Sequence, residues 1–133
     1  KTGGGWYDYQ PGDRAPKLSD TVAAIIAEAA ESRAQRAWDE AGIVDAILLP
    51  MVNEATCILE EHVALRAADI DLVKIHGYGF PRWRGGPMHY AEGRGLSEVV
   101  AVLDRLAADG LAEPPSDGLR RAAKAGGFSV LAG

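Results

Sequence analysis

The chain has 133 residues, enough for one compact domain that removes about two-thirds of its unfolded surface from water. Hydrophobic residues make up 47% and charged residues 25%, an ordinary globular balance that argues against general disorder. The formal net charge of -5, with no long block of Lys and Arg, repels phosphate backbones and excludes nucleic acid as an expected partner.

The single Cys57 has no partner for an internal disulfide and sits in an apolar helical run, which fits a reducing compartment and a thiol acting as a small hydrophobe. The longest nearly uncharged apolar stretch, Ala46 to Val52, carries Pro50 and is too short to span a bilayer. No signal-peptide pattern opens the chain, so a cytoplasmic location is the expectation. The start at Lys1-Thr2-Gly3, without Met and directly in a glycine and aromatic motif, predicts a piece of a longer polypeptide.

Residues 1–17 hold Gly3, Gly4, Gly5, Pro11, Gly12 and Pro16 with three aromatics and no helical periodicity, so they read as an extended arm. From Ser19, a candidate N-cap, Val22, Ile25, Ile26 and Ala29 recur at helical spacing to about Arg36. The central helix is predicted from Ala41 to about Val63. Its apolar positions, among them Ile43, Val44, Ile47, Leu48, Met51, Val52, Ile58 and Leu59, cover more than half the circumference, which predicts burial on most sides. Pro50 inside it removes one backbone hydrogen bond and predicts a kink.

A shorter helix is predicted over about Ala68 to Ile75, with Asp69 or Asp71 favouring its positive end. The stretch 76–87, HGYGFPRWRGGP, is loop, and Pro87 fits the first position of a helix to about Glu92. Gly95 and Ser97 open a helix to about Ala108 with Val99, Val102, Leu103 and Leu106 on one stripe; Asp109-Gly110 ends it. Pro114-Pro115 precedes a last helix at about Leu119 to Ala125, stopped by Gly126-Gly127. No run alternates long enough to be a strand, so the fold class is all-α, built around one long helix, with no internal repeat within the chain.

Three segments carry a family resemblance: KTGGGWYDY at 1–9, LPMVNEATCILEE at 49–61 and DIDLVKIHGYGFPRWRGGPMHYAEGRG at 69–95. Together they resemble the C-terminal helical region of the 3-hydroxyacyl-CoA dehydrogenase family, as found in multifunctional fatty-acid β-oxidation enzymes. In the multifunctional enzymes of that family an enoyl-CoA hydratase unit precedes a Rossmann-type NAD domain and two tandem helical copies. The resemblance implies that residues 1–17 are the tail of the first copy and 18–133 the second. It implies that NAD binds outside this chain, since the family's His and Glu pair precedes the helical copies. The family's first copy supplies an Asn from a V-N-R motif at the start of its long helix; here the motif reads Val44-Asp45-Ala46. That departure fits the noncatalytic second copy, with no catalytic or cofactor-binding residue in the chain and a structural task toward the Rossmann domain and first copy.

Arg82 and Arg84 offer a phosphate of acyl-CoA two guanidinium groups beside glycines, with Trp83 and Tyr78 as further ligand or domain-interface contacts. The preferred reading is that Tyr78, Phe80 and Trp83 anchor the loop on the helices. Glu54 shares a helical face with Ile47, Met51 and Ile58, which predicts a pair with Arg82 or Arg84. Asn53 is expected to bond a neighbouring backbone group. His62, His76 and His89 have no metal-ligand spacing, so no metal is expected, and Asp69 and Asp71 are accounted for as helix caps. Trp6, Tyr7 and Tyr9 are expected to tether the arm. Besides the structural domain, two readings stay open: an independent acyl-CoA or protein-binding module, and a self-associating domain that forms a homodimer through exposed apolar surface.

Overall fold

The computed structural model describes residues 5–31 and 37–131. It is all-α, with six helices among the described residues and one minimal strand pair. The chain divides into two compact units, 1–38 and 39–133.

In the first unit β1 (Tyr7–Asp8) and β2 (Lys17–Leu18) pair antiparallel, Tyr7 opposite Leu18 and Asp8 opposite Lys17. Two-residue strands are too short for an alternation pattern to reveal them. The reversal between them is closed locally: Asp13 N–H donates to the Gln10 carbonyl at 3.0 Å, and Ala15 N–H to Asp13 Oδ1 at 2.9 Å. Contrary to expectation, Trp6, Tyr7 and Tyr9 are all exposed, so backbone pairing holds the arm rather than aromatic burial. Helix α1 (Asp20–Glu31) follows, with Ile25 and Ile26 exposed. Its expected extension to Arg36 lies outside the described residues.

The second unit holds α2 (Glu40–Glu60), α3 (Ala67–Gly77), α4 (Pro87–Arg94), α5 (Leu96–Ala108) and α6 (Asp117–Ala125), with 3-10 turns at Arg82–Arg84 and Phe128–Leu131. Helix α2 starts on Asp39, whose carboxylate accepts the Gly42 N–H at 2.8 Å, and continues as one helix through Pro50. It closes with the residue after its C-cap, His62, in the left-handed region at φ 56°. There His62 N–H reaches the Leu59 carbonyl and Val63 N–H the Ile58 carbonyl, both at 3.1 Å. This is the double bond pattern that usually recruits glycine, and it brings Val63 back over Ile58.

The core is one cluster. Leu49, Val52, Ala55 and Leu59 of α2 join Met88 and Ala91 of α4, the stripe Val99, Val102, Leu103 and Leu106 of α5, Leu119 and Ala122 of α6, and Phe128. Helix α2 is therefore buried along one face only. Ile43, Val44 and Ile47 are exposed, Ile47 by 62%, which corrects the expectation of burial on most sides. By length and composition α2 is also apolar enough to cross a bilayer, a property that the short uncharged run did not suggest. Its Leu49 to Leu59 face is spent on the core just described. Cys57 is half-buried, and burial pushes its thiol above the ordinary cysteine range.

Remote side-chain to backbone bonds lock the helices together. Buried Asn53 donates to the Pro114 carbonyl at 3.0 Å and accepts the Ser116 N–H at 2.8 Å, so its partners are backbone groups but lie 61 and 63 residues away. Ser116 in turn caps α6 by accepting the Leu119 N–H at 3.1 Å. Asn53→Ala is expected to destabilise the domain by about 2–3 kcal/mol, since it leaves a donor and an acceptor unpaired beside the core. Urea unfolding of the two proteins checks this.

Candidate functional site

The loop between α3 and α4 is positioned from below. Helix α4 starts Gly86-Pro87 with no capping side chain of its own. The acceptor comes instead from α3: Asp71, 8% exposed, takes the Met88 N–H at 2.7 Å and the His89 N–H at 3.1 Å. Asp71 thus caps the next helix, not its own as the sequence suggested. Gly86, at φ +102°, lies so close that an added Cβ would sit 2.3 Å from Asp71 Oδ1. Burial raises the Asp71 carboxyl above the usual aspartate range, outweighing the two N–H bonds that lower it. Asp69 does stay local, pairing with Arg66 at 2.7 Å.

Above this support the loop side chains point outward. Tyr78 is 75% and Trp83 78% exposed, and Arg82 and Arg84 are exposed too, so these two aromatics do not anchor the loop as expected, whereas Phe80 is half-buried. Cation–π stacking organises them on the surface instead: Lys74 lies over Tyr78 at 4.9 Å, and Arg84 over Trp83 at 4.3 Å and Tyr90 at 5.4 Å. Glu54 is exposed, and among the described residues no ion pair joins it to Arg82 or Arg84. The expected pair is absent because Glu54 does share a face with Ile47, but that face is the open one.

The carboxylate that does meet an arginine is Asp45. Arg94, the last residue of α4, holds both Asp45 oxygens through its two terminal nitrogens, the Nη2 bond at 3.0 Å, and gives Nε to Glu98 of α5 at 3.0 Å. The Asp45 and Arg94 side chains are 15% and 20% exposed. Hydrogen bonding to Asp45 raises the Arg94 guanidinium above its ordinary range, against the opposing effect of partial burial. One forked contact therefore fastens α2, α4 and α5.

A cleft of about 470 Å³ opens over this pair, lined also by Glu40, Val44, Arg84 and Tyr90. Its walls carry one more carboxylate than guanidinium, so its local field does not favour a phosphate. Arg94 is neutralised by Asp45 and Glu98, and Arg84 is stacked on two rings. Among the described residues no three His, Cys, Asp or Glu side chains gather as a metal site. What the arrangement does is hold helices, Arg94 being forked between Asp45 and Glu98. The sequence carried one signal for the Asp71 contact: Gly86-Pro87 leaves the first N–H groups of α4 without a local acceptor. Nothing marked Asp45 and Arg94, 49 residues apart, as partners.

No family model matches the chain. It is 36% identical over 132 residues to the peroxisomal bifunctional enzyme of Pongo abelii, covering 95% of this chain and 18% of that protein. The bifunctional enzyme of Danio rerio is 40% identical over 108 residues, covering 78% and 15%. The fatty acid oxidation complex subunit alpha of Idiomarina loihiensis is 32% identical over 126 residues, covering 95% and 17%. The chain thus spans less than a fifth of the length of these relatives, and over that stretch it is similar to a fragment of these fatty-acid oxidation enzymes.

Proposed function

We propose that the chain is an assembly domain, the second of two tandem helical copies, in an NAD-dependent enzyme that oxidises 3-hydroxyacyl-CoA to 3-oxoacyl-CoA and also carries an enoyl-CoA hydratase unit. The observation that carries this reading is the bond of Asp45 to Arg94. At the place where the catalytic copy would offer an Asn, this chain has a carboxylate committed to joining its own helices. NAD is assigned to a place outside this chain, a reading supported by the described strands, which form a two-residue antiparallel pair and not the parallel βαβ unit that a Rossmann site needs. The cofactor belongs to a Rossmann domain elsewhere in the polypeptide. That domain and the first helical copy are the proposed partners, with the exposed Ile43, Val44 and Ile47 of α2 as a face they would cover.

Arg82, Trp83, Arg84 and Tyr78 are assigned to the same role, as contacts with a neighbouring domain or with the acyl-CoA bound there. Their outward exposure supports this. The compartment follows the full enzyme, cytoplasmic or peroxisomal. The chain alone, given NAD and a 3-hydroxyacyl-CoA, is expected to form no NADH; turnover by clean protein would sink the reading. Tight binding of acyl-CoA by the chain alone, measured by calorimetry, would favour the binding-module alternative. A concentration-dependent dimer that buries Ile43 and Ile47 would be the same apolar face covered by a second copy.

A further inference from the structure

A second surface lies at the far end of α2, beyond Ile58, and has no part in the arrangement around Asp45. The close of α2 at His62 folds Val63 over Ile58, and with Leu65, Ile70 and Val73 these line a trough of about 540 Å³. Ile70 forms part of the buried floor, whereas Val63, Leu65 and Val73 stand mostly in solvent as walls. The charges at its rim are unequal. Asp69 is neutralised by Arg66 at 2.7 Å, whereas Lys74 rests its ammonium over the Tyr78 ring and forms no ion pair among the described residues.

From this geometry we infer that the trough binds a single-chain amphiphile with an anionic head, of the fatty carboxylate class, its tail along Ile58, Val63 and Val73 and its carboxylate on Lys74. Charge and size both select this occupant. Among the described residues the trough carries one positive charge with no carboxylate partner, in an apolar setting, which matches one anionic head on one apolar tail and disfavours a neutral or cationic amphiphile. Its volume lies within the roughly 300–1,000 Å³ range of small-ligand sites. Nine residues line it, far fewer than the roughly 20–30 a side of a standard protein interface. The inference does not rest on the proposed assembly role, since it needs neither a parent enzyme nor a catalytic site.

The test titrates the chain with dodecanoate below its micelle concentration, by calorimetry, beside dodecyltrimethylammonium. Expected are one dodecanoate per chain, no matching site for the cationic probe, and affinity lowered at least about tenfold in both Lys74→Glu and Val73→Asp. Both positions lie at the trough's rim, and matched thermal unfolding of the variants shows that the fold is kept. Equal binding of the two probes, unchanged affinity in the variants or no dodecanoate binding would each overturn the inference. Capture of an acidic protein segment in place of dodecanoate would also overturn it.

Discussion

Replacing Asp71 with alanine is expected to lower the stability of the 39–133 unit by about 2–5 kcal/mol, because two N–H groups at the start of α4 lose their acceptor where water reaches poorly. Gly86→Ala should approach the same loss from the other side. Its new Cβ would collide with the Asp71 carboxylate in a backbone conformation that L side chains rarely adopt. Chemical denaturation of both variants measures this, and a loss below about 0.5 kcal/mol would show that Asp71 does not cap α4.

The pH dependence has an unusual sign. Burial raises the folded-state value of Asp71 above the ordinary 3.8, so the fold favours the protonated carboxyl more than the unfolded chain does. The stability from this titration is complete below the unfolded value and is lost as pH rises through the folded one. The alanine penalty should therefore be larger at about pH 4 than near neutrality. Growth of the penalty toward neutral pH would mean that the two N–H bonds outweigh burial.

Breaking the other contact has a similar scale. Asp45→Ala leaves the Arg94 guanidinium, 20% exposed, with Glu98 as its one charged partner among the described residues. A fully buried pair broken on one side costs about 3–5 kcal/mol; the residual exposure here brings the expected loss to about 2–3 kcal/mol. Arg94→Ala should cost about as much, and the double variant less than the sum, since both changes remove one shared contact. Additive losses in the double-mutant cycle would show that the pair is not coupled.

The helices from α4 onward were legible in the sequence because their boundaries are written in local chemistry. Pro87 stands at the first turn of α4, the stripe from Val99 to Leu106 is buried throughout, and Gly126 ends α6 at φ +81°. Helix α2 was legible in extent but not in its buried side. Periodicity groups residues by face without saying which face meets the rest of the chain, so Glu54 and Ile47 were rightly grouped and wrongly buried. The contacts that build the candidate site join residues 17 to 63 positions apart, Asp71 to Met88, Asp45 to Arg94 and Asn53 to Ser116. No local pattern encodes such pairs, because the partner's position exists only once the helices have packed.

In the proposed assembly role Asp45 fastens helices and takes no part in chemistry, and the full-length polypeptide carrying Asp45→Ala tests this most directly. Thermal unfolding and kcat for 3-hydroxyacyl-CoA oxidation are measured on the same preparation, the latter well below the unfolding range. The expected result is a lowered Tm with kcat within about twofold of the unaltered protein. A kcat reduced about a hundredfold or more at unchanged Tm would place Asp45 at the reacting atoms and contradict the account.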